Sequence, residues 1–182
     1  MKKTRTGLTT TKALMAGAAI ITLSSGVAPQ AMAASGTGAA SAIILAPIVV
    51  TGAALHFGSV TDSGAGGTVV ITPTTSTRSV TGATTMVTGG ALEKAGIVHV
   101  VAANNAAINL TMAATSITVT SGGNTMAVNA FNIGLDAAGP GPIASTLVGT
   151  TGDYNIGGTL TVAAAQAVGT YTGTYTVNVN YQ

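Results

Sequence analysis

The sequence predicts an all-β domain, a sandwich or a barrel, and three observations predict it. Past residue 33 the apolar residues come in short bursts of period two or in brief β-branched runs. Clusters of Gly, Asn, Asp and Pro separate those bursts at the spacing of many short strands. No segment there sustains the i, i+3, i+4, i+7 spacing of a helix face, and the alanine-rich stretch 163–167 is only about one turn long.

The chain opens differently. Lys2, Lys3, Arg5 and Lys12 precede an apolar run over residues 13–23, and Ala31-Met32-Ala33 follows as a small-x-small site. This pattern predicts a secretory signal peptide over 1–33, with Ala31 and Ala33 flanking the cleavage determinant and the exported chain starting at Ala34. Residues 34–44 are small and polar at first and are expected to be a flexible leader. A single β-sandwich domain is expected over 45–182.

Within that domain the strands are expected at Ile48-Val50, Leu55-Phe57, Val69-Ile71, residues 97–101, Ile108-Leu110-Met112, Ile117-Val119, Met126-Val128 and Leu160-Val162. The separators are residues 62–67, 89–90, 104–105, 121–124, 139–142, 152–153 and 157–158. The last strand is the clearest. From Tyr171 the odd positions read Tyr171, Gly173, Tyr175, Val177, Val179, Tyr181, and the even ones carry Thr, Asn and Gln. Unbroken alternation over twelve residues predicts one strand about twice the usual length, apolar on one face and hydrogen-bonding on the other. Gly173 leaves a gap on the apolar face where another side chain or backbone can approach.

Composition narrows the chemistry. After residue 33 the chain keeps Arg78 and Lys94 against Asp62, Glu93, Asp136 and Asp153, a formal net charge of −2. Six charged residues in 149 are far below the roughly 25% of ordinary domains, so Thr, Ser, Asn and Gly must make the wet surface. A patch able to neutralise phosphates is missing, which argues against nucleic acid as a partner. No apolar stretch past the signal approaches the roughly 18 residues of a membrane-spanning helix. The chain has no cysteine, hence no disulfide, thiolate metal site or cysteine nucleophile.

Few active sites can be written with what remains. His56 and His99 each sit between apolar neighbours, as ordinary strand-face histidines do, and neither belongs to a His-x-His or His-Glu-x-x-His spacing. There is no Gly-x-Ser-x-Gly elbow to build a serine nucleophile. Asp153-Tyr-Asn-Ile-Gly157 opens like a calcium loop but lacks its third oxygen ligand and closing Glu, so a β-turn is expected there. Asp62 and Asp136 also fall where turns are expected, and a pairing of such loops around Ca²⁺ is the minor alternative. The glycines of 64–67 open no helix and make no phosphate loop. Glu93-Lys94 reads as a solvated loop, and Asn109-Leu-Thr111 carries little weight as a glycosylation tripeptide. Neither a cofactor, a metal nor a catalytic residue is expected.

The ending Gly158-Thr-Leu-Thr-Val162, then Gln166-Ala-Val-Gly169-Thr-Tyr171-Thr-Gly173-Thr-Tyr175-Thr-Val177-Asn-Val179-Asn-Tyr181, resembles the bacterial domain of unknown function 4402. So do Leu55-His-Phe-Gly58, Gly67-Thr-Val69 followed by Pro73, and Met126-x-Val128-x-x-Phe131. The chain departs from that family at Ile97-Val-His-Val100, where aromatic and glycine residues are expected. The same ending is similar to spore coat protein U domains and chaperone–usher pilins, whose C-terminal strand carries a penultimate Tyr and an upstream Gly such as Gly169. The resemblance implies an immunoglobulin-like, fimbrial-type antiparallel β-sandwich, secreted or on the cell surface, and supplies no enzymatic activity.

The tyrosine stripe then has three readings: core packing, a handle engaged by assembly machinery or a neighbouring subunit, or the aromatic girdle of an outer-membrane barrel. The last is weakest, since only one strand here reaches the roughly 9–11 residues such barrels need. Low net charge and a shortage of edge-guarding charges favour self-association. The expectation is therefore a structural or adhesive surface subunit without catalysis. The alternative is a secreted monomeric module that recognises a surface glycan or matrix component through loops at one end of the sandwich.

Overall fold

The computed structural model describes residues 32–134 and 139–182. The signal-peptide expectation, with Ala31, and the turn expected at Asp136 lie outside the described residues. Ala33 is exposed and in no regular element. The fold is that of the compact unit Ala42–Gln182.

It contains twelve strands and, among the described residues, no helix: β1 Val49–Ala53, β2 His56–Phe57, β3 Val60–Ile71, β4 Arg78–Met86, β5 Glu93–Lys94, β6 Gly96–Val101, β7 Ala107–Met112, β8 Ser116–Ser121, β9 Asn124–Ile133, β10 Ile143–Thr146, β11 Thr151–Val162 and β12 Val177–Tyr181. All pairings are antiparallel. Seven strands form one sheet, β10-β7-β12 form a second, and β2 pairs with β5. The two larger sheets share a single core, so the fold is a β-sandwich, as the sequence predicts.

The large sheet is built around β11. Ile156 lies opposite both Gly96 of β6 and Ile133 of β9, and Thr159 lies opposite both Val70 of β3 and Asn129 of β9. A strand residue has one neighbour per edge. Hence β9 takes one edge of β11, while β6 and then β3 follow each other along the other edge. β1 extends the sheet beyond β6, β4 beyond β3, and β8 beyond β9.

Even positions of β11 face inward throughout, ending in buried Ile156, Leu160 and Val162. Gly152-Asp153 and Gly157-Gly158, expected to separate strands, instead lie within this one. Gly157 has a steric reason: a Cβ there would collide with the carbonyl of Ile71 and with Pro73. The turn expected at 153–157 is likewise strand. Residues 62–67 do not separate two strands either. They bulge out of β3 between the pairs Asp62↔Thr84 and Gly67↔Gly82, and the Gly66 N–H donates to Asp62 Oδ1 at 2.9 Å to close the bulge.

Opposite this sheet, β7 presents Ile108, Leu110 and Met112 on one face, all buried. They meet Val98 and Val100 of β6, Val69 of β3 and Val128, Phe131 and Ile133 of β9 in the common core. β9 reaches that core only by breaking its own period. Met126 and Val128 point inward on even positions, whereas Phe131 and Ile133 do so on odd ones. The phase changes at a β-bulge, where the pairing with β11 slips between Gly157 and Thr159 and Ala130 takes φ 47°. The x-x of Met126-x-Val128-x-x-Phe131 is this extra residue. The β8–β9 hairpin turns on Gly122 and Gly123, both at positive φ, between the paired Ser121 and Asn124, the geometry that two-residue hairpins prefer.

Arg78 corrects another expectation. Its guanidinium is buried and its Nη1 donates to the carbonyls of Phe57 (3.1 Å) and Ser59 (2.9 Å), while Nη2 lies 3.5 Å from Glu93 Oε2. Glu93-Lys94 is thus the strand β5, paired with β2, and not a solvated loop.

The bulge is directly testable. Deleting Ala130 should return Phe131 and Ile133 to the solvent face, because a one-residue slip inverts a strand, and the protein should lose its cooperative thermal transition. Ala130→Gly removes only a strained left-handed alanine, worth about 1 kcal/mol, so its melting temperature should equal or exceed that of the parent.

Candidate functional site

After β11 the chain turns through residues 163–170 and makes its last passage across the molecule. Tyr171 closes the turn: its hydroxyl donates to the Ala167 carbonyl (2.7 Å) and accepts from Gln166 Nε2 (2.7 Å). Thr172 then exchanges two backbone hydrogen bonds with Thr120 of β8, at 2.8 and 3.0 Å. Gly173 lies against the same strand, and a Cβ there would stand 2.8 Å from the Thr118 carbonyl and 2.9 Å from Val119 Cγ1. The gap expected at Gly173 is therefore occupied by the backbone of β8. Gly169 is exposed beside Ser121 Oγ, where a side chain would collide.

From Val177 the chain belongs to the other sheet, pairing with β7 from Val177↔Met112 to Tyr181↔Ile108. The single twelve-residue strand expected over 171–182 is therefore split. One end touches β8, the other is β12, and residues 173–176 cross between the sheets. The face prediction holds across the break. Tyr171, Tyr175, Val177, Val179 and Tyr181 are all half-buried, and the threonines and asparagines between them are exposed.

Two tyrosines of this passage reach across to the first strand. Tyr175 Oη donates to the Ala53 carbonyl at 2.7 Å, at the far end of β1. Tyr181 Oη donates to the Ala46 carbonyl just before β1, and accepts from the Ala103 N–H at 2.9 Å. The last passage of the chain is thus clasped to the residues at and just before the two ends of β1. Tyr175 also packs its ring 6.2 Å from that of Phe131, tilted by 37°. Its phenol lies over Gly96, where any Cβ would collide with the hydroxyl. Burial pushes the Tyr175 phenol above its ordinary value of 10.0.

Beneath residues 171–177 lies an apolar groove of about 540 Å³. Val50 and Ala53 of β1, Leu55 and Phe57, Ile117 and Val119 of β8, Met126 of β9 and Leu160 of β11 form its walls. The groove follows from strand count. A three-stranded sheet cannot cover a seven-stranded one, and the crossing segment bridges the uncovered part without filling it.

The charged constellations lie elsewhere. His99 Nδ1 is 2.5 Å from Asp153 Oδ1, on adjacent strands and largely exposed. Thr51 stands opposite His99 on the next strand, so Thr51, His99 and Asp153 form one row across β1, β6 and β11. Neither His99 nor Asp153 lines the groove, and the imidazole bonds to Asp153, not to Thr51. A cross-strand pair this exposed is worth about 0.2–1 kcal/mol. The 54-residue separation of the pair hid it from sequence reading, which placed His99 on a strand face and Asp153 in a turn. His56 is exposed on β2 opposite Lys94. Asp62 and Asp153 belong to separate constellations, and no group of three metal-ligating side chains occurs among the described residues. Nor is any helix there long and apolar enough to cross a membrane.

Residues 48–181 match the family model described as Domain of unknown function (DUF4402). The chain belongs to this family. No curated protein and no solved structure matches it. The DUF4402 match spans β1 to β12 and the whole of the groove, including both clasping tyrosines.

Replacing a clasping phenol isolates its hydrogen bond. Tyr175→Phe removes one hydrogen bond and should cost about 0.5–1.5 kcal/mol by denaturant titration, and Tyr181→Phe, which removes two, should cost more. Tyr175 adds an alkaline signature. Above pH 10.0 the unfolded phenol ionises while the folded one stays protonated, so the unfolded state binds fewer protons and stability falls with rising pH. That decline should be shallower in Tyr175→Phe than in the parent.

Proposed function

We propose that this DUF4402 chain is an exported structural subunit of the bacterial surface, of fimbrial type, that works by self-association and carries no catalytic activity. One observation carries the reading: the edge strands of both larger sheets carry almost no charge and no Pro. The edge strands are β1, β4, β8, β10 and β12, and their only charged residue is Arg78, which is buried. None of them contains Pro or Lys. All five residues of β1 are exposed. Monomeric sheet proteins ordinarily blunt such edges with charge, Pro or a covering element, because an open row of N–H and C=O groups pairs with other chains. The formal charge of −2 after residue 33 adds little repulsion between copies. Large side chains left in solvent, including Leu92, Val148 and Val168, point the same way.

Sedimentation velocity of protein recovered from the medium or cell surface tests this directly. It should show oligomers, with filaments in electron micrographs of the same material and an N-terminus at Ala34. A monomer at every concentration would overturn the proposal. Tyr181→Ala should lower surface display, whereas His56→Ala and His99→Ala should leave it intact.

A further inference from the structure

Arg78 is a buried cation whose bonding is incomplete. Its side chain is only 5% exposed, and of its three nitrogens only Nη1 makes hydrogen bonds, to the carbonyls of Phe57 and Ser59. Nε is buried with no partner. Nη2 has only Glu93 Oε2 at 3.5 Å, too long for a hydrogen bond. The Glu93 carboxylate is one-third exposed and accepts no hydrogen bond within the fold. A buried guanidinium short of acceptors costs free energy, and the spacing of the pair leaves room for a partner from outside the chain.

Arg78 and Glu93 both line a cavity of about 380 Å³, at the small end of the roughly 300–1,000 Å³ of ligand pockets. Its wall is the connection 87–92 between β4 and β5, and Ser59 pins that wall in place. The Val87 N–H donates to the Ser59 carbonyl (3.1 Å), the Ser59 N–H to the Ala91 carbonyl (3.1 Å), and the Ala91 N–H to Ser59 Oγ (2.8 Å). Gly58, the last residue of Leu55-His-Phe-Gly58, lies against the guanidinium, where a Cβ would collide with Nη1. The apolar part of the lining includes Met86 and Leu92, which are 48% and 81% exposed. Polar groups short of partners therefore meet exposed apolar side chains in one preformed cavity.

The lining discriminates between ligand classes. An anion gains little, because Glu93 cancels the charge of Arg78 and no other charged residue lines the cavity. An apolar ligand would strip water from both charges without replacing its hydrogen bonds. A neutral sugar suits both halves. One hydroxyl can accept from Arg78 Nη2 while donating to Glu93, and the C–H face of the ring can cover apolar surface. We propose that this cavity binds one neutral pyranose unit of a glycan, with a hydroxyl bridging Arg78 and Glu93 and the ring resting on Leu92. This adds ligand recognition to the structural role proposed above, and it holds whether or not copies associate.

Saturation-transfer NMR tests this, because the signal is read on the ligand and survives assembly of the protein. The probes are the methyl glycosides of glucose, galactose, mannose and N-acetylglucosamine, with sodium acetate as the anionic competitor and protein recovered from the medium or cell surface. The expected result is saturable binding of at least one glycoside in the millimolar range. Glu93→Gln should weaken it about tenfold and Leu92→Ser several-fold. Leu92→Ser should keep the parent's melting temperature, since that side chain lies in solvent, and so it holds the test even where Glu93→Gln disturbs Arg78. No saturable transfer to any of the four glycosides would overturn the proposal. So would binding that both variants leave unchanged, which would put the sugar elsewhere, and so would displacement by acetate, which would make the cavity an anion site. Sedimentation of the same samples reads self-association separately.

Discussion

The fold depends on one strand having more neighbours than its length first suggests it can take. β11 gives its first half to β6 and its second to β3 along one edge, and holds β9 along the other. Every other strand of the large sheet is attached through one of these three. The constraint reaches the side chains. Even positions must face inward over all twelve residues, and Gly157 must lack a Cβ so that Ile71 and Pro73 can pass close by. A second constraint compensates for the first. Because β9 meets β11 through a slipped register, its own inward face changes parity at Ala130, and Phe131 and Ile133 enter the core only for that reason.

Much of this was legible in the residues and some was not, for identifiable reasons. Period two announced β6 and β7 because their alternate residues are buried against a single sheet. The Gly122-Gly123 turn was legible because two consecutive positive φ angles favour glycine. Glycine misled elsewhere. In 157–158 it marks close approach of neighbouring backbone, and in 62–67 a bulge, yet both look like turns when read alone. The break in the last strand was illegible in principle. Alternation reports which face is apolar, and both halves keep the same face, but it says nothing of which strand lies alongside. The clasps from Tyr175 and Tyr181 were not legible, since their acceptors are backbone carbonyls that leave no trace in a sequence.

The scarcity of charge shapes the candidate site as much as the fold. With so few ionisable groups, one buried cation, Arg78, ties the carbonyls of Phe57 and Ser59 to Glu93. The remaining polar fixing is done by phenols, threonine hydroxyls and asparagine amides. Thr61 with Thr85 and Thr68 with Thr81 bond across β3 and β4, each at 2.7 Å. Neutral pairs of this kind are insensitive to salt and pH near neutrality, unlike ion pairs. They hold strands in register without setting up the repulsion that would keep two copies apart.

The clasps on β1 also bear on how the chain folds. Tyr175 and Tyr181 follow their acceptors by 122 and 135 residues. β1 is made early, but these two bonds cannot form until nearly the whole domain has emerged. Closing so long a loop must be paid in chain entropy before its contacts give anything back, and sheets dominated by such distant pairings fold in milliseconds to seconds. During that interval β1 and the groove are exposed together, and the chain is most open to strands that are not its own.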